Sequence, residues 1–360
     1  MTTDSDTRDH ARSISREKGV FAFVVAKQAG FSLVIRIVGL ALTYLVLFQI
    51  TKLGGPELYG KYSFAMAVTQ ILLPFVFLGV GRGLIKFLPG LLTASSTVGV
   101  NTVVTGASVV SALGALLVGG GLYVGSDAVA EHIFSNSGAG DVCRLVALLF
   151  LPVAMLRVWK CVCTGLKNPA FGELGSEVVA RGILVAGLLA GLFFGIDSVQ
   201  SVLFWFALGN AVGLFFLWVG VKRVLDVQLS KSRGFDRPLF RRFFRYSLAL
   251  LLVGSLGKLH SHVDALLIAK YLDFTALGVY KVATKVCALA GLVASVFLPI
   301  ASTFFAEFSA EKDLAALRAC SRTVLRWMYM AAFPVGGVLF WYSDTVMGLA
   351  IGQEHQAEGV

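Results

Sequence analysis

The amino-acid sequence predicts an all-α fold, a polytopic bundle of helices that cross a membrane. Of the 360 residues, 57% are hydrophobic and 14% are charged, whereas roughly a quarter of the residues of a soluble domain are charged. The apolar residues form long blocks rather than an amphipathic pattern, and about 20 apolar residues suffice for one helix to cross the hydrocarbon core of a bilayer. Together these observations exclude a soluble enzyme.

The apolar blocks predict nine spans that are joined by short connections. Residues 1–20 are polar and mixed in charge, and we expect them to form a disordered cytoplasmic tail. The predicted spans cover residues 28–50, 62–87, 98–124, 142–163, 178–196, 199–220, 247–269, 280–306 and 327–343. The longest connection runs from Val221 to Tyr246, which leaves no room for a catalytic domain. We therefore predict that the protein is not an enzyme, needs no cofactor and acts through its membrane helices.

The distribution of Lys and Arg predicts a multi-pass protein of the cell membrane with its N-terminus in the cytoplasm. Cytoplasmic connections of membrane proteins are enriched in these two residue types. The most basic connection follows the sixth span and carries Lys222, Arg223, Lys231, Arg233, Arg237, Arg241, Arg242 and Arg245. The formal net charge of +10 therefore reflects loop residues that attract anionic membrane lipid, and it does not indicate binding to nucleic acid.

The sequence contains an internal repeat. A shift of 218 residues aligns Lys52 with Lys270, Gly60 with Gly278, Tyr62 with Tyr280 and Ala65 with Ala283. The shift carries the first span onto the seventh, so the unit has six helices and the two units run parallel, an arrangement known among transporters. We expect a first six-helix lobe at 21–221, a basic cytoplasmic linker at 222–246 and a partial second lobe at 247–360. Because the second unit stops after three spans, the repeat predicts further helices beyond Val360.

Four stretches of the sequence resemble a known transporter family. The connection Lys52–Tyr62 reads KLGGPELYGKY, and the second span ends with GVGRGLIKF at Gly79–Phe87. The repeat counterpart Asp273–Ala283 reads DFTALGVYKVA, and IGQE begins at Ile351, where the family carries an aromatic residue. These motifs resemble the O-antigen and exopolysaccharide flippases of polysaccharide biosynthesis, which belong to the multidrug/oligosaccharidyl-lipid/polysaccharide (MOP) exporter superfamily.

The resemblance implies a two-lobed bundle with a cationic central cavity that opens alternately to each side of the membrane. It implies a polyprenyl-linked oligosaccharide as substrate, with membrane lipid and other membrane proteins of polysaccharide assembly as further partners. One alternative is a cation-coupled multidrug exporter of the same superfamily, which would favour buried carboxylates. Another is a membrane polysaccharide polymerase or glycosyltransferase, which usually needs a sizeable catalytic loop.

Two cations lie near the middle of predicted spans, Arg36 in the first and Lys258 in the seventh. A charge at the bilayer centre costs at least ~2.5–3.5 kcal/mol, so each cation should face a cavity or a partner. The repeat places these two spans in equivalent positions, and we expect Arg36 and Lys258 to face each other across the cleft and bind phosphate. The alternative for each is a structural ion pair with an acidic residue inside the bundle.

Further cations lie near the cytoplasmic ends of spans. Arg82 and Lys86 end the second span, where they either gather the incoming phosphate or extend to the membrane surface. We interpret Arg157, Lys160 and Arg181 as side chains that extend to the inner membrane surface.

The seventh span also carries His260, His262 and Asp264. At about 100° per residue, Lys258 and His262 share one face of a helix, whereas His260 and Asp264 share another. His260, His262 and Asp264 are candidates for proton or cation coupling, with His260 and Asp264 four residues apart as the most direct pair. The alternative is a polar pair against a neighbouring helix. The cysteines at Cys143, Cys161, Cys163, Cys287 and Cys320 lie in or beside spans without metal-binding spacing, so we predict neither disulfides nor a metal site.

Overall fold

The structure is a computed structural model that describes residues 3–134, 137–194, 198–229, 234–288 and 314–342, with the single residues 305, 345 and 348. The helices in this part of the chain are α1 (Thr3–Phe77), α2 (Val80–Thr93), α3 (Thr97–Val124), α4 (Ser126–Val129), α5 (Ser137–Gly165), α6 (Pro169–Glu173), α7 (Ala180–Phe194), α8 (Val199–Leu229), α9 (Arg237–Tyr271), α10 (274–288) and α11 (Leu314–Trp341). A π-helical turn continues α4 at Ala130–Phe134, and another joins α6 to α7 at Leu174–Val179.

Five helical stretches of the described chain are long and apolar enough to cross a membrane. They are Gly30–Phe77, Thr97–Val124, Gly138–Gly165, Pro169–Phe193 and Val199–Arg223. The first of them covers residues 30–50 of the first predicted span and 62–77 of the second. Helix α9 is not one of the five, because its polar residues at 258, 260, 262 and 264 lower its hydropathy. The prediction of an all-helical membrane bundle is confirmed.

Helix α1 consists of two limbs, residues 3–53 and 56–77, that meet at a pair of glycines. Gly54 has φ −143° and ψ 23°, and Gly55 has φ 67° and ψ −166°. A positive φ is accessible to glycine without steric cost, so Gly55 allows the chain to turn here. Pro56 begins the second limb, where its fixed φ suits the first turn of a helix and its missing N–H leaves no hydrogen bond unmade.

The predicted second span, 62–87, is interrupted in the structure. Helix α1 ends at Phe77, Leu78 and Gly79 adopt φ values of 47° and 75°, and α2 begins at Val80. Gly79 packs against the backbone carbonyl of Ser247 in α9, where a Cβ atom would overlap with the carbonyl oxygen. Hydropathy did not reveal this break because the interruption is set by contact with another helix.

Several helices extend beyond their predicted boundaries. Helix α8 continues to Leu229 and α9 begins at Arg237, so most of the stretch that we expected to be a linker is helical. The side chain of Asp236 accepts a hydrogen bond from the backbone N–H of Leu239 and thereby caps α9. Charged residues such as Lys and Arg are good helix formers, so a fall in hydropathy marks the end of a span but not the end of a helix.

Two further helices begin earlier than the spans that were predicted for them. Helix α1 begins at Thr3, within the segment that we expected to be disordered, and α11 begins at Leu314 rather than at 327. The predicted eighth span, 280–306, coincides with α10 up to residue 288. Apart from residue 305, the rest of that span lies outside the described residues.

Helix α5 lies at the centre of the first lobe. Val146 and Phe150 pack with Phe64 and Leu73 of α1, and Phe274 of α10 belongs to the same cluster. The following turns of α5 pack against a second cluster built from α2, α3 and α8. Because lipid tails are as apolar as leucine side chains, such contacts stabilise a membrane bundle through close packing rather than through transfer from water.

The two repeat units contact each other through equivalent residues. Gly60 packs against the backbone carbonyl of Phe274, and Gly278 packs against the backbone carbonyl of Pro56. Pro56 and Phe274 are themselves related by the shift of 218 residues that relates the two glycines. This reciprocity is the pattern expected for two repeats related by a local two-fold axis. A Cβ atom on either glycine would overlap with the facing carbonyl oxygen.

We expect Gly60→Ala and Gly278→Ala each to destabilise the protein by about 1–3 kcal/mol, because the facing backbone cannot move away as a side chain could. Thermal unfolding of the purified protein in detergent, followed by size-exclusion chromatography, measures the effect. Gly257→Ala is the matched control, since nothing lies within 4 Å of an added Cβ at that helical position. A melting temperature that stays at the parent value in both Gly60→Ala and Gly278→Ala would contradict the close contact.

Candidate functional site

A cavity of about 290 Å³ lies between α1, α2, α5 and α9. Its polar lining comprises Gln70, Arg82, Arg157 and Lys258. The other lining residues are Leu73, Pro74, Phe77, Gly79, Gly81, Ile85, Cys161, Leu250, Leu251 and Gly254. Among the described residues, the lining includes three cations and no carboxylate, so the cavity favours an anion.

The break between α1 and α2 places Arg82 at this cavity. The backbone N–H groups of Arg82 and Gly83 bond to the carbonyl of Gly79, which starts α2 at the cavity wall. Gly79 has no side chain to cap the helix. The positive end of the α2 dipole therefore adds to the charge of the arginine.

Helices α5 and α9 supply the other two cations. The guanidinium of Arg157 donates a hydrogen bond of 2.9 Å from Nη2 to Oε1 of Gln70, which holds the side chain toward α1. Lys258 lies one turn after Gly254 on α9 and is half-buried. Among the described residues, no carboxylate is within ion-pair distance of Arg82, Arg157 or Lys258. Glu177 attracts Arg157 electrostatically, but its direct ion pairs are with Lys160 and Arg181. Cations without a carboxylate at ion-pair distance attract an anionic ligand in a medium of low dielectric constant.

The structure thus brings two of the predicted cations, Arg82 and Lys258, into one cavity. Arg157 joins them, although the sequence interpretation assigned it to the membrane surface. No signal in the sequence distinguishes Arg157 from the neighbouring Lys160, because its contact with Gln70 joins two helices that are remote along the chain.

Arg36 is placed elsewhere and forms an ion pair. Its guanidinium donates hydrogen bonds of 2.9 Å and 2.6 Å, from Nε and Nη2, to Oε1 of Glu173 in α6. The Glu173 side chain is 9% exposed, whereas that of Arg36 is 63% exposed. Arg36 is not among the described residues that line the cavity, so the structure pairs it with Glu173 and does not bring it together with Lys258.

A second carboxylate inside the first lobe was missed by the sequence interpretation. Glu177 lies in the π-helical turn between α6 and α7, at 2.8 Å from the Nζ of Lys160 and 2.6 Å from the Nη1 of Arg181. The predicted span began at 178, although Asn168 caps a helix that begins at Pro169. An asparagine followed by proline is a recognisable helix start, and it would have placed both Glu173 and Glu177 inside the span.

In the structure, Asp264 of α9 pairs with a residue of a neighbouring helix. Asp264 accepts a hydrogen bond of 2.8 Å from Nζ of Lys281 in α10, which is consistent with a polar pair against a neighbouring helix. His260 is exposed and His262 is half-buried. Lys86 places its Nζ 3.9 Å from the centroid of the Tyr246 ring, a cation–π contact between α2 and α9 outside the cavity lining.

Comparison with known proteins identifies the family of the chain. The family described as "Polysaccharide biosynthesis protein" matches residues 50–357. The chain belongs to this family. No curated protein sequence matches the chain.

Solved structures of MOP superfamily transporters share the fold. An inward-facing multidrug resistance MATE family transporter matches with a TM-score of 0.67 and 14% identity, covering 89% of this chain and 75% of that one. An outward-facing conformation of such a transporter matches with a TM-score of 0.62 and 15% identity, covering 92% and 75%. A MOP superfamily transporter from Pyrococcus furiosus, for which a reverse polarity of the binding pocket suggests a different function, matches with a TM-score of 0.55 and 13% identity, covering 91% and 76%. The chain is thus a membrane protein of polysaccharide biosynthesis with the fold of MOP transporters.

The ion pair of Arg36 generates a stability prediction. We expect Arg36→Met to lower the free energy of unfolding by about 3 kcal/mol, because it leaves the buried carboxylate of Glu173 without its partner. The double variant Arg36→Met/Glu173→Met removes both charges and should recover most of that loss. Thermal unfolding in detergent measures all three proteins. If the double variant is no more stable than Arg36→Met, the cost of Arg36→Met does not come from leaving Glu173 without its ion-pair partner.

Proposed function

We propose that the protein is a flippase that moves a polyprenyl-(pyro)phosphate-linked oligosaccharide across the cytoplasmic membrane for surface polysaccharide assembly. The observation that carries this proposal is the cavity between α1, α2, α5 and α9, whose described lining holds three cations and no carboxylate. Flipping such a lipid breaks no covalent bond, so the requirement is a hydrated path for a phosphorylated headgroup through hydrocarbon. Arginine guanidinium groups bind phosphate oxygens in a bidentate geometry, and a lysine adds a point charge.

The family and the fold support a transport role, and the cavity supports an anionic substrate. An exporter of organic cations would need accessible carboxylates at its binding site. The two carboxylates inside the first lobe, Glu173 and Glu177, are already held by Arg36, Lys160 and Arg181. The described helices are joined by short connections, which leaves a polymerase or glycosyltransferase no catalytic loop within the described residues.

The proposed transport cycle is alternating access, in which the lobes part first on one side of the membrane and then on the other. The cavity lies between the lobes, and the contact of Gly60 with Gly278 holds them together elsewhere. A headgroup that enters the cavity meets Arg82 and Arg157 of the first lobe and Lys258 of the second. The polyprenyl tail stays in lipid throughout this cycle.

The cavity generates a binding prediction. We expect Arg82→Gln, Arg157→Gln and Lys258→Gln each to weaken binding of a polyprenyl-pyrophosphate oligosaccharide about tenfold or more, since a hydrogen bond to a charged group contributes about 1.5–3 kcal/mol. Titration of the purified protein in nanodiscs measures the dissociation constants. Lys52→Gln is the control, because Lys52 lies over the Phe48 ring and outside the cavity.

Two outcomes of the same titration would count against this site. Binding that is unchanged in all three variants would move the substrate out of the cavity, and a loss in Arg36→Gln alone would assign the phosphate to Arg36. Preferential binding of organic cations by the parent protein would favour the drug-exporter alternative.

The charge of the cavity can also be measured through Cys161, which lies in its lining. In a variant with Cys287→Ser and Cys320→Ser, Cys143 and Cys163 remain but are buried, so Cys161 is the accessible thiol among the five cysteines. We expect an anionic methanethiosulfonate reagent to modify Cys161 several times faster than a cationic one, and Lys258→Gln to reduce that preference. The variant that retains the exposed Cys287 instead of Cys161 is the control. Faster modification by the cationic reagent would contradict a cationic cavity.

A further inference from the structure

A groove on the lipid-facing side of the first lobe is separate from the transport cavity. It has a volume of about 390 Å³ and lies between α3, α5 and α8. Its lining is Ser108, Met155, Trp159, Ala211, Leu214, Phe215 and Trp218. Six of these seven side chains are apolar, and the Phe215 side chain is 63% exposed. The groove is therefore open and suited to a hydrocarbon chain.

Helix α5 separates this groove from the cavity. Met155 and Trp159 are four residues apart and share the groove face of α5, whereas Arg157 lies about 200° from each around the helix and faces the cavity. The groove and the cavity therefore lie on opposite sides of α5 and share no lining residue. A ligand in the groove is therefore separate from the ligand in the cavity.

Positive charge marks one end of the groove. The Nζ of Lys222 lies 4.2 Å from the centroid of the Trp218 ring, so the ammonium group is held against the last aromatic residue of the groove. Lys222 and Arg223 are both exposed and begin the basic stretch that follows the sixth predicted span. Aromatic residues next to Lys and Arg are typical of the membrane interface, where lipid headgroups lie.

We propose that this groove is a binding site for an anionic phospholipid of the cytoplasmic leaflet. An acyl chain lies along the surface formed by Trp159, Leu214 and Phe215, and the phosphate is bound by Lys222 beside Trp218. Arg223, about 140° around α8 from Trp218, adds positive charge at the same end of the groove. The charge at one end selects an anionic over a zwitterionic headgroup, because a cation near the membrane surface attracts anionic lipid. The site is independent of the substrate proposed above.

Fluorescence quenching of Trp218 by brominated lipids tests this assignment in the full chain. In a variant with Trp159, Trp205, Trp327 and Trp341 replaced by Phe, Trp218 is the remaining fluorophore of the five tryptophans. Nanodiscs of phosphatidylcholine receive increasing fractions of brominated phosphatidylglycerol or brominated phosphatidylcholine. We expect phosphatidylglycerol to quench at a severalfold lower mole fraction. The preference is the ratio of the mole fractions at which the two brominated lipids quench Trp218 by half. Lys222→Gln and Arg223→Gln should each lower this ratio by up to about fivefold.

Two further variants separate the headgroup from the chain. Ala211→Phe fills the groove and is expected to reduce quenching by both brominated lipids, while circular dichroism and size-exclusion chromatography confirm that the protein remains folded. Phe48→Trp, in a background without Trp218, is the matched control, since Lys52 lies 4.5 Å over that ring but the pair does not belong to the groove. We expect this control to show little headgroup preference.

Three outcomes would overturn the proposal. Equal quenching of Trp218 by the two lipids would show that the groove meets bilayer lipid without selecting a headgroup. A preference that survives Lys222→Gln/Arg223→Gln would remove the headgroup assignment. Relief of quenching by a short-chain polyprenyl phosphate, with no relief by unbrominated phosphatidylglycerol, would give the groove to the lipid carrier of the substrate instead.

Discussion

Charged side chains inside a bilayer must be paired, hydrated or directed at an anion, because a lone charge near the centre costs at least ~2.5–3.5 kcal/mol. The first lobe meets this constraint with ion pairs between helices. Arg36 of α1 holds Glu173 of α6, and Glu177 lies between Lys160 of α5 and Arg181 of α7. These contacts link four helical segments around one polar region. Once the carboxylates are occupied in this way, the cations that face the lobe boundary have no acidic partner among the described residues.

Close backbone approach is the second constraint, and it explains where the helices break and where the lobes meet. Gly79 lies against the carbonyl of Ser247, which permits the interruption between α1 and α2 and places the start of α2 at the cavity. Gly60 and Gly278 lie against each other's segments in a reciprocal contact. Helices in lipid gain little from burying apolar surface, so small residues that let backbones approach closely become the points at which they associate.

The sequence was sufficient for the fold class, because hydropathy reports directly on the solvent that a helix meets. The internal repeat stays a prediction from the sequence, and the reciprocal contact between Gly60 and Gly278 is consistent with it. The interruption at Leu78–Gly79 could not be predicted, since it depends on a contact with α9 that is remote in sequence. Several helices extend beyond the predicted spans, because hydropathy falls before a helix ends.

The site was predicted in part for a similar reason. Lys258 and Arg82 stood out as cations in or beside apolar spans, and both line the cavity. Arg36 stood out on the same grounds but is paired, because its partner Glu173 lies in a segment that hydropathy assigned to a loop. A single sequence reveals which residues are costly in a membrane. It does not reveal which of those costs are already offset by a partner on another helix.

The placement of the cavity cations bears on how a bound anion could be released. Arg82 and Arg157 belong to the first lobe, whereas Lys258 belongs to the second. If all three were on one lobe, a bound headgroup would move with that lobe and keep its full affinity on both sides of the membrane. With the cations divided, parting of the lobes removes one contact from the anion without any competing ligand. Conversely, an anion that binds all three cations stabilises the arrangement in which the lobes are close, because a ligand favours the state that it binds more tightly. On the proposed function, the substrate itself therefore biases the movement that carries it.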